Sequence, residues 1–226
     1  MRDLYVKQLQ LGPMENFVYL VGAIGSRETA IIDAAWDIEA AIAAANADGR
    51  EITHALVSHW HADHTNGLVP LLAKRGVPIY CHKADIPDLP SEVRGEVQGI
   101  DGGDAVQVGA LSLRGLHTPG HTPGSTTWHV AAPVSGDARD AGAIFSGDTL
   151  FVNACGRCDL RGGDPALMFE SLRRLASLGD EVTLYPGHDY GDVPVSSIAR
   201  EKERNPYLSR LGELEQFAAL RMRPRS

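Results

Sequence analysis

The chain has 226 residues, of which 43% are hydrophobic and 22% are charged, a balance typical of one soluble globular domain spanning residues 1–226. Its formal net charge of −8 argues against nucleic acid as a partner, because phosphate backbones are held by clustered lysine and arginine. No stretch approaches the ~20 apolar residues of a membrane-spanning helix, and the amino-terminal residues contain no uninterrupted apolar segment. We therefore expect a cytoplasmic protein that binds neither membranes nor nucleic acid.

The cysteine content fits the same compartment. Three cysteines, Cys81, Cys155 and Cys158, cannot all pair with one another, which is typical of proteins from a reducing environment. The last two form a CxxC motif, but one CxxC without a second pair is only a weak sign of zinc or redox chemistry. We expect ordinary reduced thiols.

The first part of the chain predicts strands that lead into a helix. Runs rich in β-forming residues predict three strands, at residues 4–11, 16–21 and 29–33. An alanine-rich segment from Asp37 to residue 47 then favours a helix that ends before Gly49.

A strand, a helix and a second strand follow. The strands are predicted over residues 53–58 and 77–81, and leucines at helical spacing between them predict a helix that ends at Gly76. This order is typical of a βαβ unit. Residues 84–103 contain prolines, paired glycines and several charges, so we expect irregular structure there with at most a short helix.

The second half of the chain is rich in short strands. These are predicted at residues 105–108, 111–116, 126–130, 143–145 and 182–185. The small, polar segment 131–142 predicts an exposed hairpin loop. Asp164 and Pro165 favour a helix start, and two further helices are predicted over residues 195–204 and 207–222.

The most informative segment is His59-Trp60-His61-Ala62-Asp63-His64, directly after an apolar run. Neutral imidazole and carboxylate are ligands of divalent zinc, iron and manganese. His59 and His61 can point the same way because they lie two residues apart, whereas Asp63 and His64 can serve a neighbouring ion. The segment predicts a metal site at a strand end, and a histidine-rich surface turn is the weaker interpretation.

Three later turns carry further ligand-type residues. His121 lies between two Pro-Gly turns, Asp148 follows a short apolar run, and His188 follows the last predicted strand. Each would be an ordinary turn if it stood alone. Their occurrence together with the histidine-rich segment favours one shared metal site.

These residues together resemble the metallo-β-lactamase-fold superfamily, whose pattern is HxHxDH followed by His, Asp and His on later loops. The matching positions are His59, His61, Asp63, His64, His121, Asp148 and His188. The resemblance implies an α/β fold, namely a four-layer αββα sandwich of two mixed β-sheets flanked by helices, with the site along one edge of both sheets. It also implies two metal positions, one held by His59, His61 and His121, the other by Asp63, His64 and His188, with Asp148 bridging them.

The implied cofactors are two divalent metal ions, with zinc expected and iron or manganese as alternatives. Two close ions can hold a hydroxide at neutral pH and polarise a carbonyl or phosphoryl oxygen. Asp148 and Asp63 are therefore the expected catalytic residues. Asp148 would bridge the ions, and Asp63 would orient the hydroxide as well as bind metal.

Within the superfamily, residues 147–151 and the following Cys155-Gly156-Arg157 resemble the glyoxalase II group, the hydroxyacylglutathione hydrolases, which hydrolyse thioesters of glutathione. By position, Arg157 and Tyr190 would contact the glutathione moiety, because a guanidinium pairs well with a carboxylate. Residues 158–160 depart from the aromatic stretch that this group has after the arginine. The C-terminal region is also shorter than the group's basic glutathione-binding segment.

A second resemblance, through residues 156–159 and 188–191, is to persulfide dioxygenases. These enzymes use a single iron, which here would be held by His59, His121 and Asp148. A non-enzymatic metal-binding module is the third interpretation, disfavoured because structural zinc sites are usually closed and rich in cysteine. We predict a dinuclear thioesterase that acts on a small-molecule thioester or thiol conjugate, and the sequence leaves a homo-oligomer open.

Overall fold

Two six-stranded β-sheets form the centre of the structure, a computed structural model that describes residues 4–131 and 142–222. The first sheet has the strand order β1 to β6, with bounds β1 Leu4–Leu11, β2 Asn16–Ala23, β3 Glu28–Ile32, β4 Glu51–Leu56, β5 Ile79–His82 and β6 Val97–Ile100. Strands β1, β2 and β3 pair antiparallel, and β3, β4, β5 and β6 pair in parallel.

The second sheet is also mixed and has the order β14-β13-β10-β9-β8-β7. Its strands are β7 Ala105–Val108, β8 Leu111–His117, β9 Thr126–Val130, β10 Ala143–Phe145, β13 Thr183–Tyr185 and β14 Ser196–Ser197. Strands β10 and β13 pair in parallel, and the other neighbours pair antiparallel. A two-stranded ribbon of β11 Leu150–Phe151 and β12 Ala154–Cys155 stands apart from both sheets.

Six α-helices cover the two sheets in the described residues. They are α1 Ile38–Ala47, α2 Ala62–Thr65, α3 Leu68–Arg75, α4 Pro165–Ala176, α5 Ile198–Arg204 and α6 Leu214–Arg221. The sequence explains their ends. The Asp37 side chain accepts the Ala40 amide at the start of α1, and Asp164 caps α4 directly before its proline. Gly76 ends α3 in the left-handed conformation that favours glycine.

The buried strand β2 shows how the layers are held together. Successive side chains of a strand point to opposite faces. Val18 and Leu20 pack with α1 and α3 on the outer face of the first sheet, while Phe17, Tyr19 and Val21 pack between the sheets. On the far side of the second sheet, a third cluster joins that sheet to α4, α5 and α6. The layers run helix, sheet, sheet, helix, which confirms the predicted four-layer α/β fold.

Most predicted elements are confirmed, including the βαβ unit formed by β4, α3 and β5, whose strands pair in parallel. The prediction of irregular structure over residues 84–103 was wrong in part. That segment holds two 3₁₀ turns, Ile86–Asp88 and Arg94–Glu96, and the whole of β6, which pairs with β5. Of the predicted hairpin loop, residues 132–141 lie outside the described residues, but the flanking strands β9 and β10 do pair antiparallel. Within the described residues, every helix is too short or too polar to cross a bilayer.

Candidate metal centre

Four loops at one edge of the sheets bring the predicted ligand residues together. The histidine-rich segment follows β4, the His121 turn follows β8, the Asp148 turn follows β10, and the His188 turn follows β13. Because β8, β10 and β13 run in the same direction, their carboxyl ends lie at one edge of the second sheet. The two sheets are tied beside the site by a hydrogen bond from the Thr126 amide to the Ser58 carbonyl, 2.8 Å long.

The first ligand group consists of His59, His61 and His121, whose ligand atoms all lie within 4.8 Å of one another. Nε2 of His121 lies 2.9 Å from Nδ1 of His61. His121 also places its other ring nitrogen 2.8 Å from the Arg157 carbonyl oxygen. A carbonyl can only accept, so Nδ1 of His121 carries the proton and its Nε2 presents a lone pair.

The same reasoning fixes the orientation of His59, which is buried. Ser58 Oγ donates to Asp33 across 2.7 Å, so at 2.9 Å it accepts from His59 Nδ1. Nε2 of His59 is then an unprotonated nitrogen, and it is buried with no hydrogen-bond partner. A buried unpartnered nitrogen of this kind is costly unless a cation or another donor meets it.

The second ligand group consists of Asp63, His64 and His188. His64 Nδ1 donates to Asp33, and His188 Nδ1 donates to the Met14 carbonyl, so both imidazoles direct Nε2 into the site. These two Nε2 atoms lie 3.0 Å apart, and each lies 3.4 Å from Asp63 Oδ2. Two imidazole lone pairs facing each other beside a carboxylate suit a cation.

Asp148 lies between the two groups. Its Oδ1 lies 3.2 Å from His64 Nε2 and 3.4 Å from His188 Nε2, and its Oδ2 lies 3.4 Å from His121 Nε2. One carboxylate oxygen therefore faces each group, as a bridging ligand requires. Oδ1 is buried and has no hydrogen-bond donor.

The pKa shifts agree with cation binding. Burial and the neighbouring His121 lower the pKa of His61 to about 4, and burial holds the pKa of His59 well below its ordinary value. Burial also opposes the charged form of His188, but Asp148 and Asp63 outweigh it and raise its pKa to about 9. His59 and His61 are therefore held in the neutral form that can coordinate a cation, while at the second group a bound cation would take the place of the His188 proton. The His/Asp cluster is compatible with a dinuclear metal site.

Sequence reasoning missed two residues that position these ligands. Asp33 directly follows β3 and accepts three hydrogen bonds, from the Ser58 amide, from Ser58 Oγ and from His64 Nδ1. Asn16 opens β2 and donates to the Asp63 carbonyl and carboxylate at 3.1 and 3.0 Å. Asp33 carried a usable signal, because it follows an apolar strand as Asp148 does.

The expected substrate residues both line an open cavity of about 480 Å³ above the ligands. Tyr190 is 47% exposed and stacks on the His188 ring, with centroids 4.5 Å apart. Arg157 also lies at the cavity, but Nε and Nη2 of its guanidinium donate to Asp159 at 2.9 and 2.8 Å. That pairing lowers the pKa of Asp159 to about 2. Most of the remaining wall is apolar and includes Trp60 and Phe151.

The four histidines outside the motif, His54, His82, His117 and His129, belong to neither ligand group. His82 and His117 stack face to face with centroids 4.0 Å apart, and His117 Nε2 donates to the Pro123 carbonyl. This contact supports the turn that carries His121. Cys81, Cys155 and Cys158 are all buried, and none of the three forms a disulfide bond.

The sequence matches known proteins over most of its length. Hydroxyacylglutathione hydrolase of Rhodopseudomonas palustris is 36% identical over 205 residues, covering 89% of this chain and 74% of that protein. Hydroxyacylglutathione hydrolase of a Synechococcus species is 35% identical over 176 residues, covering 78% of this chain and 65% of the relative. The chain thus spans about two thirds to three quarters of the length of these two curated relatives.

Among solved structures, ETHE1 from Myxococcus xanthus superposes with a TM-score of 0.81 at 29% identity, covering 98% of this chain and 92% of that one. The sequence profile of the metallo-beta-lactamase superfamily matches residues 11–188, a range that includes every ligand residue of both groups and Asp148. With the four-layer fold and the ligand arrangement, this match shows that the chain belongs to the metallo-beta-lactamase superfamily.

Proposed function

We propose that the chain is a dinuclear metallohydrolase that cleaves thioesters. The observation that carries the proposal is the ligand arrangement, in which one Asp148 oxygen faces each ligand group. The first ion would be held by His59, His61 and His121, and the second by Asp63, His64 and His188. The relatives named hydroxyacylglutathione hydrolase support a metallohydrolase.

The chemistry follows from this arrangement. When bound, two divalent ions supply a hydroxide at neutral pH and polarise the carbonyl oxygen of the substrate. Asp148 would contribute one negative charge that is shared by the two metal positions. Asp63 lines the cavity and is held by Asn16, so it can orient the attacking oxygen as well as bind metal. Nitrogen and carboxylate donors suit zinc first, with iron and manganese as alternatives.

The cavity sets the kind of substrate. Its apolar wall and the stacked Tyr190 ring suit the organic part of a small thioester or thiol conjugate, and Arg157 is the one arginine or lysine of the described lining. A carboxylate of a glutathione-like thiol would meet Arg157 and compete with Asp159 for it. We therefore assign substrate contact to Arg157 and Tyr190.

Turnover of S-lactoylglutathione by the zinc-loaded chain tests the proposal. We expect Asp148→Ala and His59→Ala to lower kcat/KM by at least ~10³-fold, because each removes several kcal/mol of charge stabilisation in the transition state. Cys158→Ala is the matched control, since this buried thiol lies outside the cavity lining, and it should keep kcat/KM within about twofold. Activity like that of the wild type in Asp148→Ala would contradict the bridging assignment.

A mononuclear persulfide dioxygenase is the second candidate. It is supported by the resemblance of residues 156–159 and 188–191 to persulfide dioxygenases, and the chain superposes on ETHE1 over 92% of that protein's length. A single iron would be held by His59, His121 and Asp148. Oxygen consumption with glutathione persulfide by the iron-loaded chain, without thioester turnover, would favour this function over the first.

A further inference from the structure

Asp85 is a completely buried carboxylate that belongs to neither ligand group. It lies just after β5, directly before the 3₁₀ turn Ile86–Asp88, in the segment that the sequence predicted to be irregular. A buried carboxylate is retained at little cost only where hydrogen-bond donors surround it. Its partners are therefore informative.

Three donors from two different loops converge on this carboxylate. Oδ2 accepts from the Trp60 amide at 3.1 Å and from Thr122 Oγ1 at 2.7 Å, and Oδ1 accepts from the Gly124 amide at 2.6 Å. A Cβ atom at Gly124 would lie 2.6 Å from Asp85 Cγ, so the close approach depends on glycine. Asp85 thus joins the loop after β4 to the loop after β8.

At the points where Asp85 contacts the two loops, the neighbouring ligand residues belong to the first group. Trp60 lies between His59 and His61, and Thr122 follows His121. Asp85 therefore joins the same two loops whose His61 Nδ1 and His121 Nε2 atoms lie 2.9 Å apart.

The second group is held by other residues. His64 is oriented by Asp33, Asp63 by Asn16, and His188 by the Met14 carbonyl. The hydrogen bonds that the Asp85 carboxylate accepts come from Trp60, Thr122 and Gly124 and not from these residues.

We propose that Asp85 is a positioning residue for one ion alone, the one held by His59, His61 and His121, by fixing the distance between the two loops that supply them. This inference rests on the proposed two-ion site and assigns a separate support to one half of it. Outer hydrogen-bond partners of metal ligands typically change metal affinity by about 10–100-fold when they are lost.

Zinc affinity in two single-site backgrounds tests the proposal. His188→Ala leaves the first group complete, and His61→Ala leaves the second group complete. Asp85→Asn keeps the shape of the side chain but replaces one acceptor oxygen with a donor that faces an N–H or hydroxyl donor. We expect Asp85→Asn to weaken zinc binding about 10–100-fold in the His188→Ala background and to change it less than about twofold in the His61→Ala background.

A milder variant covers the case in which Asp85→Asn fails to fold. Thr122→Val removes one of the three hydrogen bonds without changing the volume much, and should weaken zinc binding in the His188→Ala background several-fold in the same selective manner. Asn16→Ala is the matched control and should show the reverse selectivity, because it supports Asp63.

Equal weakening in both backgrounds, or no weakening in either, would overturn the positioning role. Failure of either background to bind zinc at all would instead overturn the two-ion site, and this inference with it. Thioester turnover does not enter the measurement. An inactive but zinc-binding protein would therefore count against the proposed reaction and not against Asp85.

Discussion

The Asp33 carboxylate and the His64 imidazole form a buried hydrogen bond 3.0 Å long, behind the ligand atoms of the second group. The same Asp33 oxygen also accepts from Ser58 Oγ, which in turn fixes the ring of His59. One carboxylate therefore orients a ligand of each proposed ion. Asp33 itself has a positive φ of 57°, a conformation that asparagine also tolerates.

We predict that Asp33→Asn weakens both metal positions, because one acceptor oxygen becomes an NH2 group. That group would face either the Ser58 amide N–H or the pair formed by Ser58 Oγ and His64 Nδ1, and it can accept from neither. The expected loss is about 10–100-fold in zinc affinity at each position, measured by competition with a chelator. Asp37→Asn is the matched control, since an asparagine can still cap α1 and this residue contacts no ligand. Unchanged affinity in Asp33→Asn would show that the ligands hold their orientation without it.

The Arg157 pairing with Asp159 leads to a second prediction. Asp159→Asn frees the guanidinium for a substrate carboxylate, so KM for S-lactoylglutathione should fall roughly two- to fivefold, the size of an exposed charge pair. Arg157→Ala should raise KM with little change in kcat, because the contact is made equally in the ground and transition states.

The control for this pair is Asp180→Asn, which removes the exposed partner of Lys202 away from the cavity and should leave KM unchanged. Initial rates at varied substrate concentration measure all three variants. If Arg157→Ala left KM at the wild-type value, Arg157 would not contact the substrate.

The thiols give a third prediction. Burial raises the pKa of Cys158 to about 11, so only roughly one thiol in 1000 is ionised at pH 8. Cys81 and Cys155 are also buried. We expect the native protein to react very slowly with iodoacetamide and the urea-unfolded protein to take up three equivalents. Rapid labelling of one thiol in the native protein would contradict this packing.

The pH dependence of stability gives a fourth prediction. Burial, with Arg114 opposite on the neighbouring strand, lowers the pKa of His129 below its ordinary 6.5. The unfolded chain then binds a proton at this imidazole more tightly than the folded chain does. The contribution of neutral His129 to the free energy of unfolding is therefore complete above pH 6.5 and is lost as the pH falls from 6.5 to the folded-state pKa. His129→Gln should therefore lose less stability than the wild type between pH 7 and pH 5.

Urea unfolding of the wild type and of His129→Gln in excess chelator measures this difference without a contribution from bound metal ions. Identical pH profiles of the free energy of unfolding in the two proteins would mean that His129 titrates alike in the folded and unfolded states.

The sequence predicted those features of the structure whose patterns lie within one short segment of the chain. The strands β1 to β5 and helices α1 and α4 were predictable because their periodicity, caps and glycine stops lie within each segment. The clustering of the seven predicted ligand residues was predictable because their residue types and the turns that carry them are local as well.

Other features depend on contacts that no local pattern shows. Strand β6 is a four-residue strand with two exposed residues, and its pairing with β5 is what makes it a strand. Asp85 looks like an ordinary loop acid, and its partners lie 25 to 39 residues away along the chain. Asp33 is visible as an acid after an apolar strand, but its partners Ser58 and His64 lie 25 and 31 residues away. Arg157 and Asp159 lie close together in the sequence, but only the structure shows that Asp159 occupies the guanidinium group that is expected to bind substrate.

The most direct test of the central claim is the number and identity of metal ions per chain, measured by elemental mass spectrometry on protein purified without added metal or chelator. A dinuclear hydrolase predicts close to two ions per chain, mainly zinc or a mixture of zinc with iron and manganese. Close to one iron per chain, with no second ion, would contradict the dinuclear account and support the persulfide dioxygenase.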